Sequence, residues 1–96
     1  MAQKVIVLAN GDNVGVVTAD VRPGSDVLAD DQKLSVKGPI PFGHKIALRA
    51  IASGADVVKF GVPIGRARAA IEPGEHVHIH NIESIYINNA VDHYEA

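Results

Sequence analysis

One seven-residue pattern, apolar–x–x–Gly–x–x–apolar, occurs four times in this chain, and it constrains the fold more than any other feature. It reads VRPGSDV at Val21–Val27, IPFGHKI at Ile40–Ile46, IASGADV at Ile51–Val57 and IEPGEHV at Ile71–Val77. In two of them Pro stands directly before the Gly. Pro-Gly is the signal of a type II turn, because Pro pre-sets φ and Gly takes the positive φ that a side chain resists. The apolar residues on either side anchor each turn to a core. The pattern predicts four tight turns, each feeding a strand, and short strands with regularly spaced turns indicate an all-β domain. The unit is too short for a solenoid repeat.

The strands follow from the pattern between the turns. Lys4–Ala9 is nearly all apolar and suits a strand buried on both faces. Asn13–Ala19 follows the turn NGDN, which is read as local Asx chemistry. Asp26–Ala29, Leu34–Val36, His44–Ile51, Asp56–Gly61, Gly65–Ile71, His76–Ile82 and Ser84–Asn88 complete the set. In HKIALRAI the residues Ile46, Leu48 and Ala50 alternate with Lys45, Ala47 and Arg49. In HVHIHNI, Val77, Ile79 and Asn81 oppose the histidines. The stretch His44–Gly61 also reads as a helix followed by a buried parallel strand. Period 2 fits its apolar residues better, and 96 residues cannot hold a barrel of βα units. The reading is a single small domain over 1–96, with a core at about 4–85 and a tail over 86–96 that frays or forms a short helix.

Composition narrows the function. The chain has no cysteine, so a metal must be held by nitrogen or oxygen. Nine basic residues are scattered rather than clustered, and the net charge is −2, which argues against nucleic acid. Four aromatic residues, two Tyr and two Phe, make no base-stacking platform. No apolar run approaches membrane-spanning length, and the N-terminus lacks the features of a signal peptide. A soluble cytoplasmic protein is the expectation.

Three histidines, His76, His78 and His80, occupy every second position of one predicted strand. Alternation puts them on one face, with neighbours about 6.6 Å apart and the outer two about 13 Å. Two adjacent rings can reach one metal; three cannot without a bulge. A solvated strand face is the competing reading on pattern alone. His44 and Lys45 follow a turn glycine and together suit carboxylate binding or proton transfer, although a turn cap beside a solvated lysine fits as well. Arg66 and Arg68 alternate and suit an anion, or simply solvent.

Taken together, DNVGVV at Asp12–Val17 and IPFGHKIALRAIASGADVVKFGVPIGRARAAIEPGEHVHIHNI at Ile40–Ile82 carry a resemblance. The chain resembles the N-terminal domain of the altronate and galactarate dehydratases over roughly Gly11 to Ile82. The same domain serves as the free-standing small subunit of (R)-sulfolactate sulfo-lyase. The resemblance implies a β-clip fold of the SAF class and a part in a lyase that removes water, or sulfite, from a hydroxy acid by β-elimination. It implies an associated divalent ion, iron(II), and a large catalytic subunit as partner. By match to the motif it carries over His44 and Lys45 as catalytic positions. His78 and His80 become metal ligands or substrate contacts, and Lys45 and Asn81 substrate contacts; Arg66 joins these as an anion-binding candidate.

Two departures qualify the match. Position 76 is commonly a bulky aromatic in the family and is His76 here, which favours His78 with His80 as the ligand pair and leaves His76 as a strand-face variant. The large domain that completes such enzymes is absent from these 96 residues, so the expectation is either a separate large subunit that completes a shared site or a chain that is part of a longer protein. Dehydration of a sugar acid is the leading expectation and sulfo-lyase action the alternative. A third possibility is a non-catalytic module that binds a carbohydrate or anion or mediates assembly, with homo-oligomers possible.

Overall fold

A computed structural model describes residues 3–6 and 11–84. Among them there are nine strands and no helix: β1 (Gln3–Ile6), β2 (Val14–Val17), β3 (Asp26–Ala29), β4 (Gln32–Ser35), β5 (Lys45–Ala47), β6 (Asp56–Lys59), β7 (Val62–Ala67), β8 (His76–Val77) and β9 (Ile82–Ser84). The all-β expectation holds. The six-stranded sheet runs β4-β3-β1-β2-β5-β8, and the three-stranded one β6-β7-β9. Only β1 with β3 is parallel among these pairs; the rest are antiparallel. Val7–Ala9, most of the predicted strand Ser84–Asn88 and the tail 86–96 lie outside the described residues.

All four repeat glycines take the predicted conformation: φ is 83° at Gly24, 82° at Gly43, 85° at Gly54 and 87° at Gly74. Each turn is closed by the bond that a type II turn requires, from Ser25 N to Arg22 O, His44 N to Pro41 O, Ala55 N to Ala52 O and Glu75 N to Glu72 O. The turns belong to two copies of one larger unit. In the first copy Val21 exchanges both backbone bonds with Ile40; in the second Ile51 does so with Ile71. Gly24 N donates to Val36 O as Gly54 N donates to Ala67 O. Gly43 N donates to Val17 O as Gly74 N donates to Ala47 O. Each copy contains a hairpin, β3–β4 or β6–β7, whose first tip residue lies in the left-handed region: Asp30 at φ 55° and Phe60 at φ 59°.

The duplication yields two apolar cores rather than one. The first holds Val5, Val17, Val21, Val27, Ala29, Leu34, Val36, Ile40, Ile46 and Leu48. The second holds Val14, Ala47, Ile51, Val57, Ala67, Ile71, Val77 and Ile82. The paired strands β2 and β5 are the wall between them, giving Val17 and Ile46 to one core and Val14 and Ala47 to the other. A shared wall explains why the alternation of HKIALRAI runs between two cores, with Ile46 and Leu48 in the first and Ala47 in the second, rather than between core and solvent. Lys45, Ile46, Ala47 and Leu48 are all buried, and β5 ends at Ala47 instead of running on to Ile51. Both faces of this strand meet protein, so apolar side chains are stabilised on each.

The NGDN segment does more than turn the chain. Asp12 is buried, and its carboxylate accepts from Phe60 N at 2.9 Å and Gly61 N at 2.8 Å. The Asn13 side chain donates to Asp56 O and accepts from Val58 N. Arg49 in turn donates to the Asp12 carbonyl. These side chains thus clamp the second-copy hairpin onto β2, in place of the local Asx turn that the sequence suggested.

Candidate functional site

Three histidines from two segments converge at the β5–β8 edge. Gly43, with its positive φ, completes the turn that delivers His44 to the start of β5. The β5–β8 ladder pairs Ile46 with His76 and Lys45 with Val77. His44 Nδ1 lies 2.9 Å from His76 Nε2, so the two rings share one proton. His78 stacks on His44, with ring centroids 4.2 Å apart, and lies 5.7 Å from His76. One ring nitrogen from each of His44, His76 and His78 falls within 4.8 Å of the other two. All three side chains are half-buried.

The predicted strand through the histidines stops early, and this changes the membership of the cluster. Strand β8 covers only His76 and Val77; residues 78–81 form a turn. Asn81 is the cause. Its buried side chain accepts from His78 N at 2.9 Å and donates to His76 O at 2.8 Å, while its own N–H bonds back to His78 O. The turn leaves Ile79, read as opposing the histidines, 62% exposed. It also swings His80 out of the expected row, so that His80 leans on His76 with ring centroids 5.1 Å apart. His76, read from sequence as a strand-face variant, is at the centre of the group. The period-2 pattern alone gave no sign of where the strand would end; the Asx-type residue Asn81 after the histidines was the available signal.

The other predicted residues are placed as follows. Lys45 is buried at 4% exposure and faces Val16 and Val77 across its two ladders, whereas Ile46 faces Gly15 and His76. Alternation therefore sends Lys45 to the opposite face of β5 from Ile46. Arg66 sits on the three-stranded sheet, exposed, with Nε 4.0 Å from an Asp56 carboxylate oxygen. Arg68 is tied to the β9 segment: its Nε donates to Ile82 O and its backbone N–H to Asn81 O.

Burial holds the His76 ring well below the usual imidazole range, at about 4, with the charges of His80, His44, His78 and Lys45 pushing the same way. His76 is thus neutral at pH 7, as a metal ligand or proton acceptor must be. The sign of the linkage follows. The folded value is depressed from 6.5, so the unfolded chain takes up the proton first as pH falls. In chelator-treated protein this contribution to stability is intact above about pH 6.5 and is lost progressively down to about pH 4. Urea midpoints measured across that window should fall with pH, and His76→Phe should flatten the fall.

Comparison with known proteins adds to this geometry. Residues 3–85 match the altronate/galactarate dehydratase SAF domain. The chain belongs to that family. Over 70 residues the SAF domain is 49% identical to altronate dehydratase of Escherichia coli, a match covering 73% of this chain and 14% of that protein. It is 41% identical over 73 residues to altronate dehydratase of Bacillus subtilis, covering 76% of this chain and 15% of the relative. It is also 42% identical over 80 residues to (2R)-sulfolactate sulfo-lyase subunit alpha of Chromohalobacter salexigens, covering 76% of this chain and 85% of that subunit. The SAF domain thus spans about one seventh of the dehydratases it matches and most of the sulfo-lyase subunit. Among the described residues, no helix is long and apolar enough to cross a membrane.

Proposed function

We propose that this chain is the small subunit or N-terminal domain of a cytoplasmic lyase that dehydrates a sugar acid such as altronate or galactarate, and that a large catalytic polypeptide completes its site. The observation that carries the reading is the convergence of His44, His76 and His78 at one partly open edge of a domain whose relatives bear dehydratase and sulfo-lyase names. A domain this small cannot enclose a hydroxy acid and exclude water alone, whereas an interface with a second polypeptide can. The match across 85% of a sulfo-lyase alpha subunit supports a second reading, loss of sulfite from sulfolactate, on the same frame.

The chemistry assigned to this chain is proton handling and positioning. His44 accepts or relays the proton α to the carboxylate, with neutral His76 2.9 Å away to share it. Lys45, buried and on the face of β5 opposite Ile46 and its ladder partner His76, receives no direct substrate contact in this reading; its charge is one of those that keep His76 neutral. We assign Asn81 to holding His76 and His78 in place, because both polar atoms of its side chain already bond the backbone. Arg66, on the other sheet and facing Asp56, receives no substrate contact in this reading. The resemblance to the dehydratases implies iron(II), which His78 would hold with His44 or His76, since the turn at residues 78–81 takes His80 out of the converging set. Imidazole donors suit such an ion, which when bound would supply Lewis acidity to the carboxylate and leaving-group oxygens.

The test is reconstitution. The chain, produced with a large lyase subunit, should eliminate water from altronate or galactarate, or sulfite from sulfolactate, only when both polypeptides are present. His44→Ala and His78→Ala should each lower kcat/KM by roughly 100-fold while the complex still assembles. A mixture without turnover on any of the three substrates, or variants as active as the parent, would overturn the assignment.

A further inference from the structure

We infer that His44, His76 and His78 form a metal site of this chain alone, selective for one late first-row divalent ion of the zinc, cobalt, nickel or copper kind. The inference does not depend on the lyase reading. It starts from the donors: three imidazoles, with one nitrogen of each within 4.8 Å of the others. The chain has no cysteine, and the converging set contains no carboxylate. An all-imidazole set favours late transition ions and disfavours magnesium and calcium, which take oxygen ligands. Three protein donors also leave coordination positions for water or a ligand.

The donors are held before any ion arrives. The Gly43 turn fixes the backbone at His44, the ladder with Ile46 fixes His76, and the Asn81 amide fixes the backbone on both sides of Val77 by bonding His76 O and His78 N. The contact between His44 Nδ1 and His76 Nε2, 2.9 Å long, places a proton where a cation can sit between two lone pairs. An entering ion moves that proton to the far nitrogen of the donating ring, a change of tautomer, and both rings remain neutral ligands. His80 touches His76 from outside the set and is not one of the three donors.

The 96-residue chain, stripped with chelator, is titrated calorimetrically with Zn²⁺, Co²⁺ and Mg²⁺, and the Co²⁺ complex is followed by its visible absorption. Zn²⁺ and Co²⁺ should bind one per chain, at least roughly 100-fold tighter than Mg²⁺. His44→Phe, His76→Phe and His78→Phe should each weaken Zn²⁺ by at least about tenfold, and His80→Ala by less than about threefold. Because a variant can lose its fold, ring-nitrogen NMR of the unaltered chain gives a second readout: Zn²⁺ should shift the signals of His44, His76 and His78 and leave His80 nearly in place. Absence of saturable one-to-one binding, Mg²⁺ binding as tightly as Zn²⁺, or a His76→Phe chain that is folded and binds undiminished would each overturn the site. All of these readouts use the chain alone, so failure of the site and failure of the lyase reading are told apart; with an ion bound, His44 is a ligand and not the proton acceptor of that reading.

Discussion

Gly74→Ala should unfold or nearly unfold this domain, with a loss of about 4 kcal/mol or more. Two independent effects add. Gly74 has φ 87°, a conformation that an L side chain resists at about 1 kcal/mol or more. A Cβ built there overlaps the backbone carbonyl oxygen of Ser35 and comes within 3.1 Å of its carbon. Backbone cannot rotate aside as a flexible side chain can. Ser35 ends β4, and Gly74 O accepts from Lys37 N just beyond it, so relief requires parting the two repeat copies. Gly43 is the internal control. It has the same φ within a few degrees, 82°, but no atom lies within 4 Å of a Cβ there. Gly43→Ala should cost only the conformational share, about 1 kcal/mol. Urea unfolding of both variants, followed by circular dichroism, checks the pair; equal midpoints would show that the Ser35 contact relaxes freely.

Asp12→Ala is expected to lower stability by about 3 kcal/mol, and Asp12→Asn by roughly half as much. The carboxylate satisfies two N–H groups, those of Phe60 and Gly61, and hydrogen bonds to a charged acceptor are the stronger kind. Removing it leaves two donors short of a partner in a hairpin tip whose first residue is already strained, because Phe60 holds φ 59°. Asparagine keeps one acceptor. The midpoint of urea unfolding should fall in that order, with the slope unchanged if the unfolded ensemble is unaffected. An Asp12→Ala midpoint equal to the parent's would mean that water replaces the carboxylate at no net cost.

Much of the frame is legible in the sequence because the repeat is local. Each apolar–x–x–Gly–x–x–apolar unit contains its own turn instruction, and all four glycines are found as read. What was not legible depends on partners distant in sequence. Asp12 could be read only as a turn former, since nothing near it announces that residues 60 and 61 will need its oxygens. Alternation at β5 put Ile46 and Leu48 opposite Ala47 as read, but that strand lies between two cores, and hydropathy cannot distinguish one buried face from two. The site was half visible. The every-second-position rule brought His76 and His78 to one place, and the glycine turn flagged His44. It failed for His80, because strand period says nothing about where a side-chain amide will cut the strand short.

The two copies of the turn-and-strand unit meet across β5 and β8, and matched backbone bonds make His44 the counterpart of Glu75, and Lys45 that of His76. Chemistry has therefore diverged at corresponding places on two congruent frames. A designer can exploit this: each half offers a ready template for the other, so side chains can be transplanted between the paired loops with known main-chain directions. New donors could thus be installed on one half while the other keeps its native complement.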